Sequence, residues 1–455
     1  MKFFIFILIA FILSVWVPVE SAWRHFCFNN YDLGIYAQAI ELLSLGHLNP
    51  WLSTRDVFLF NDHFDPILFL LIPFKGLTPS GLLAIRFEMI CLIAAAASPA
   101  WLLSRGMISQ SLAVMSSVMI LWSPMVMDAA FYPAHPGTWS LAPLSWMLAF
   151  ILAKKYRWSF VMFGLTLLCK EEYPFVGMAV GLGLIMMGEK PYGFVFTAAA
   201  LVWAVLVFAI RPALIGPSSM YTDAVSGFQG WDVLGSRDGA LLLLRRLLEL
   251  AIPLSVILYG AKRLTLMDMI VPGLVLLTLL GIRFAGGYWG NHRVAPLAVV
   301  LAYLMIFTIR SETIKPRNVI VWSVLTLTLA FSSLEIGSRF WRAKSFKKHC
   351  PQNPERLSEI QQTLNLLRHD SKGPTLAQGN LIPHAVDLSG ISQVGATHGR
   401  NFSYLWIEKG ADRNTWPLSK EEFQALEDQW SGDPTVTKLF DGSHVTLMGR
   451  RLPGD

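Results

Sequence analysis

Long blocks of apolar residues, each broken by a short polar stretch, fill most of the chain between residues 3 and 336. A bilayer core about 30 Å thick takes roughly 20 apolar residues per helix, and fewer where a helix is broken or buried in protein. On that criterion spans are expected near 3–19, 80–103, 108–129, 137–153, 158–170, 174–188, 193–212, 240–261, 267–284, 293–309 and 318–336, eleven in all. The runs 158–170 and 174–188 are short for full crossings, so a broken or re-entrant pair meeting at "CKEEYP" is expected there. The opening "MKFFIFILIAFILSVWVPVESAW" has Val19 and Ser21 where a leader would be cut, but the apolar segments behind it favour an uncleaved first span.

After residue 337 the pattern changes to that of a soluble protein. "PERLSEIQQTLNLLRH" puts Leu357, Ile360, Leu364 and Leu367 at helical spacing. "PTLAQ", "FSYLWIE", "VTKLF" and "HVTLMG" read as short strands, and "SKEEFQALEDQW" reads as a helix opened by a Ser419 cap. The fold expected is a polytopic α-helical membrane domain over residues 1–340, with a long first outer loop at 20–79. A small soluble α/β domain follows over 341–455.

Composition agrees: 54% of residues are hydrophobic, 15% are charged and the mean hydropathy is +0.48. The net charge of +6 comes without a basic stripe of interleaved aromatics, so nucleic acid is not an expected partner. Topology explains the excess. Lys2, Arg105, Lys154, Lys155, Arg157, Lys190, Lys262, Arg263, Arg310, Lys315 and Arg317 all fall in alternate short loops. Positive loops stay inside. The chain is therefore expected in the cytoplasmic membrane, with its N-terminus in the cytoplasm and its C-terminal domain outside. Cys91 and Cys169 fall in apolar runs, no CxxC or Cys/His metal spacing occurs, and a disulfide between Cys27 and Cys350 is not expected.

That topology gathers Asp32, Asp62, His63, Asp65, Asp128, His135, Lys170, Glu171, Glu172, Asp223, Asp232, His292 and Arg293 on the outer side. Mixed, titratable groups converging on one membrane face are what an interfacial active site needs. Each also has a structural reading. Asp32 suits a helix N-terminus, "NDHFDP" a turn ended by Pro66, Lys170 a snorkelling role and His135 a tight loop between prolines. His63 and Asp65 also leave open a divalent metal ion, the one cofactor the residues suggest. "GLGLIMMG" at 181–188 suits close helix packing better than phosphate binding. His384 and His398 are the tail's candidates for facing the membrane.

The order "YDLGIYAQAI", "HFDPILFLLIP", "FYPAHPGTW", "LLCKEEYPF" and "NHRVAPLAVV" resembles the predicted membrane proteins catalogued as domain of unknown function 2079, over roughly residues 25–310 and on to "GNLIPHAVDLSG". That family reads D-L-G-x-x-x-Q, H-F-x-P, F-H-P-E and K-E-D. Here the third motif is Tyr132, Pro133, Ala134, His135, and Glu172 stands where the fourth has Asp. The family is similar to the GT-C superfamily of polytopic glycosyltransferases, which use polyprenyl-phosphate-linked sugars and a catalytic Asp in the first outer loop. The resemblance implies Asp32 as general base, and Gln38, His63, Asp65, His135, Lys170, Glu171, Glu172, His292 and Arg293 as substrate-binding residues. It implies a polyprenyl-phosphate sugar donor in the bilayer and a glycan, lipid or protein acceptor of the envelope. A transporter or flippase for a lipid or polar solute is the competing expectation.

Overall fold

The computed structural model describes residues 2–28, 31–216, 244, 246–251, 254–255, 266–286, 291–310, 352–370, 373–395, 402–410, 413, 415 and 417–450. The chain is mostly helical, with a small sheet near its C-terminus. Its contacts group it into two units, 1–18, 60–67 and 86–341 in the first, and 19–59, 68–85 and 342–455 in the second.

Among the described residues three helices are long and apolar enough to cross a bilayer: α1 (Lys2–Arg24), α3 (Ser80–Ser104) and α9 (Lys190–Ile215), with α2 (Tyr31–Ser44) between the first two. A fourth crossing arises if α4 (Gln110–Trp122) and α5 (Pro124–Ala130) count together across their 44° bend. Only 22% of the apolar window of α1 and of α9 is buried, leaving Phe3, Phe6, Leu13, Phe194 and Val202 exposed without protein cover. Such surfaces suit hydrocarbon. The eleven runs read from the sequence are not eleven full crossings among these residues. α6 (Leu141–Leu152), α7 (Tyr156–Leu167) and α8 (Tyr173–Met186) have 12, 12 and 14 residues, stopped by Gly, Pro and polar turns. The run at 318–336, and most of 240–261, lie outside the described residues.

In the first unit, α10 (Leu266–Gly286) packs on α8, and α11 (Ala295–Ile309) packs on α4, α5, α6 and α10. Every residue of α11 is buried, which explains why it is apolar on all sides. Its Tyr303 hydroxyl hydrogen-bonds Ser98 of α3 at 2.6 Å, and Ser98 in turn hydrogen-bonds Ser145 of α6 at 2.6 Å. α8 and α9 meet back to back at Gly181 and Gly193. A Cβ on Gly193 would lie 2.6 Å from the Gly181 carbonyl oxygen, so the small residues of "GLGLIMMG" do serve close packing.

The second unit is built on a five-stranded mixed sheet. β3 (Thr375–Ala377), β4 (Ser392–Gln393), β5 (Tyr404–Glu408), β6 (Val436–Asp441) and β7 (Val445–Arg450) lie in the order β4-β3-β5-β7-β6, and β3 runs parallel to both its neighbours. The two-residue alternation of β5 is complete. Trp406 joins the apolar cluster of α12 (Pro354–Asp370) through Ile360 and Leu364, whereas Leu405 and Ile407 join that of α13 (Lys420–Gly432) through Phe423 and Trp430. One helix therefore covers each face, as the expected α/β pattern requires. Ser419 opens α13 with a full capping box, its hydroxyl accepting from the Glu422 N–H and its own N–H donating to the Glu422 carboxylate.

Residues far earlier in the chain complete that core. Phe26 and Ala37 sit in the same cluster as Leu381, Ile382 and Trp406. The Arg356 guanidinium donates to the His25 carbonyl at 2.8 Å, and the Asn380 amide donates to the Phe26 carbonyl at 3.2 Å. Ser53, in the turn of the small hairpin β1 (Trp51–Leu52) and β2 (Val57–Phe58), accepts through its carbonyl from the Ser392 hydroxyl at 2.9 Å. Cys27 is disulfide-bonded, which corrects the expectation that it is not; its partner lies outside the described residues, while Cys91 and Cys169 are buried free thiols.

Candidate functional site

The polar centre of the first unit is the five-residue turn between α7 and α8. Pro174 at the start of α8 suits a first helical turn, where its missing N–H is not needed, and fixes where "CKEE" ends. The segment 59–67 lies along this turn. The Ile67 N–H donates to the Leu168 carbonyl at 2.9 Å, and Arg211 of α9 donates to the Phe60 carbonyl at 3.0 Å. This strapping brings His63 Nδ1 to 3.2 Å from Glu171 Oε1, an ion pair with both side chains largely buried. Burial and the Lys170 ammonium oppose charge on His63, but the field and hydrogen bond of Glu171, with Asp65 adding to them, win and raise its pKa. Burial likewise opposes the Glu171 carboxylate, and the His63 imidazolium with Lys170 outweighs it and holds the pKa low.

Glu172, the next residue, pairs with the buried Arg283 guanidinium near the end of α10. Lys170 lies with its stem against Gly137, whose Cβ, if present, would be 3.8 Å from Lys170 Cδ. Its ammonium makes no ion pair with a described residue. Asp62 and Asp65 are buried in the same segment as His63. Among the described residues no group of three or more His, Cys, Asp or Glu side chains is arranged to hold a metal ion. The metal ion that His63 and Asp65 leave open finds no third such ligand arranged beside them among the described residues.

His135 is buried, with its ring stacked on Tyr132 at 4.9 Å. Its position is set by a residue that sequence reading passed over. Glu88, in the middle of α3, accepts from the Ala134 and His135 N–H groups at 2.9 Å each and from Trp139 Nε1 at 3.2 Å. Ala134 has a φ of +74°, a conformation that costs a residue with a Cβ about 1 kcal/mol or more, so the Glu88 side chain clamps a strained turn. The missed signal was an acidic residue inside an apolar span. A second cluster was equally hidden. Arg246 is buried between Asp128 at 2.6 Å and Glu249 at 2.7 Å.

Arg293 is half-buried on the short 3-10 turn Asn291–Val294, which packs on α5; the side chain of His292 lies outside the described residues. Asp32 and Gln38 belong to the second unit. Asp32 is half-buried in the first turn of α2, where the helix dipole favours a carboxylate. Gln38 is buried. Its amide donates to Ser53 at 2.8 Å and accepts from the Thr54 N–H and hydroxyl at 3.1 and 3.0 Å, an anchor between α2 and the hairpin. His384 is stacked on Trp23 at 3.7 Å and lies tilted against Phe26 at 3.9 Å, and His398 lies outside the described residues.

Glu171, Glu172, His63 and Arg283 thus form two adjacent, oppositely charged pairs at the end of apolar helices, with Lys170 beside them. Such an arrangement can orient a polar ligand and neutralise an anion without a metal ion or nucleotide fold. No curated protein matches the chain significantly. Residues 24–385 match the family described as predicted membrane protein (DUF2079), and the chain belongs to that family.

Proposed function

We propose that this chain is an integral membrane glycosyltransferase. It moves a sugar from a polyprenyl-phosphate-linked donor to an envelope glycan, lipid or protein on the outer face of the cytoplasmic membrane. Eleven spans, a cytoplasmic N-terminus and an external C-terminal domain form part of this reading, supported by the alternation of basic loops. The observation that carries it is the buried pair of His63 and Glu171 with Lys170, Glu172 and Arg283, since ionised groups in an apolar unit cost several kcal/mol unless paired or used.

In the reaction, Asp32 takes the proton of an acceptor hydroxyl as its oxygen attacks the anomeric carbon. The bond from that carbon to the phosphate oxygen breaks, and the polyprenyl phosphate leaves as an anion. Lys170, with His292 and Arg293, neutralises the leaving charge. One displacement inverts the anomeric configuration. Purified protein given a polyprenyl phosphate sugar should release polyprenyl phosphate, and Asp32→Asn should abolish release while the protein stays folded. Turnover that persists in that variant removes Asp32 from the mechanism.

One observation favours the second reading, a transporter or flippase. Bent or discontinuous helices with buried charge line transport pathways, and α4 and α5 bend by 44° ahead of the Asp128 and Arg246 pair. Flux across proteoliposomes with no covalent change in the transported molecule would establish that reading in place of the first.

A further inference from the structure

Two neighbouring side chains of the "CKEE" turn, with the partners that reach them, each leave one buried atom unanswered. Glu171 gives Oε1 to His63, while its Oε2 is buried with no hydrogen-bond partner among the described residues. Arg283 gives one terminal N–H to Glu172, while its Nε is buried with no partner among the described residues. Both residues are more than nine-tenths buried, Glu171 at 6% and Arg283 at 5% exposure. Leaving such atoms bare costs their full desolvation, and native proteins leave few of them. The two are complementary. A carboxylate oxygen only accepts, and a guanidinium N–H only donates.

A ligand that answers both carries a donor for the carboxylate oxygen and an acceptor for the guanidinium N–H, as a sugar hydroxyl and a phosphate oxygen do. Lys170 lies in the same turn without an ion-pair partner among the described residues, adding a second positive group on the donor side. We propose that this turn is a phosphosugar subsite: Glu171 Oε2 receives a ring hydroxyl of the sugar, and Arg283 Nε, with Lys170, receives the phosphodiester oxygens of the lipid link. Arg283 suits this role because its planar guanidinium carries several donors, one holding Glu172 and Nε–H left to offer, whereas a lysine is a single point charge. This inference rests on the lipid-linked donor proposed above, and it assigns to Arg283 a task that neither the sequence reading nor the reaction steps gave it.

The test uses the full chain in nanodiscs and three probes: undecaprenyl phosphate, undecaprenyl phosphoglucose and undecaprenyl phosphomannose. Glu171→Gln should weaken binding of a sugar-bearing lipid at least tenfold and leave the bare phosphate lipid unchanged. Arg283→Gln should weaken all three. Because it also strands Glu172, the paired variant Glu172→Gln with Arg283→Gln, which removes both charges together, serves as the fold-preserving form and should show the same loss. Wild-type affinity in that paired variant, or a Glu171→Gln change shared equally by bare and sugar-bearing lipids, overturns the subsite while leaving the transferase reading standing. Failure of the wild type to hold any of the three lipids overturns both.

Discussion

Glu88 and Glu359 do the same work in opposite surroundings. Each gathers the donors of a tight turn on one carboxylate: Glu88 takes two backbone N–H groups and an indole within an apolar helix. Glu359 takes the N–H groups of Ser443, His444 and Val445 and the Ser443 hydroxyl at the turn between β6 and β7. Glu359 is itself buried, but it sits beside exposed Glu355 and Ser358 and holds a turn with exposed Ser443, so water can replace part of what it gives. Around Glu88 there is only protein. The same device is therefore replaceable in the second unit and indispensable in the first, because the cost of a lost acceptor depends on what else can answer the donors.

Removing the buried acceptor is the severest test of that contrast. Glu88→Ala orphans three donors and releases the strained Ala134 turn, so a loss on the order of 3 kcal/mol or more is expected, with Glu88→Gln losing less because one oxygen remains. Thermal unfolding of the detergent-solubilised chain measures both, and equal losses for the two variants would break the argument. Glu359→Ala should cost roughly 2 kcal/mol near neutral pH.

The pH dependence of the second loss has a fixed sign. Burial raises the Glu359 pKa, but the hydrogen bonds from His444, Ser443 and Val445 outweigh it and hold the carboxyl below its ordinary range. A group with a lowered folded pKa stabilises above its unfolded value, about 4.3, and that contribution disappears as pH falls through the folded value. The gap between wild type and Glu359→Ala should therefore close in acid. A gap that stays constant from pH 7 to pH 3 would mean that the carboxylate charge contributes nothing.

His384 sharpens the picture from the other direction. Burial against Trp23 and Phe26, with Arg368 and Arg356 nearby, pushes its pKa down to about 3. The unfolded chain binds a proton there below about pH 6.5 while the folded one does not, so stability rises with pH between about 3 and 6.5. Hydrogen exchange of the sheet should show protection falling by up to about 1.4 kcal/mol per pH unit in that window. His384→Gln should flatten the dependence. The smallest effect expected is for Ser419→Ala, which removes the capping box of α13 and should cost about 1 kcal/mol at any pH where Glu422 is ionised.

How much was legible followed from how local each cause is. The strands β5 to β7 and both helices of the second unit were readable because period two and period 3.6 are written in adjacent residues. β4, two residues long and held only by pairing with β3, was not. Apolar runs marked the helices of the first unit but not their lengths, since a buried helix such as α11 and a largely exposed one such as α9 have the same composition. Of the candidate site, the "CKEE" turn was visible as charge at the end of an apolar run, and His63 as its neighbour in kind. Glu88, Arg246 and Arg283 were hidden because each lies inside a hydrophobic stretch and meets at least one partner across more than 40 residues. Gln38 was visible for its motif and not for its bonds to Ser53 and Thr54.

Phe26 and Ala37 complete a core whose other members follow residue 356. A ribosome adding roughly 5–20 residues per second needs about 20–70 s to cover that distance, during which those two side chains have no partners. The second unit is thus the last part of the molecule able to fold, although its first residues are among the earliest made. A chain stopped before residue 377 would lack both β3 and the cover for Phe26. It should be found bound to holding chaperones or degraded, however well its helices have inserted.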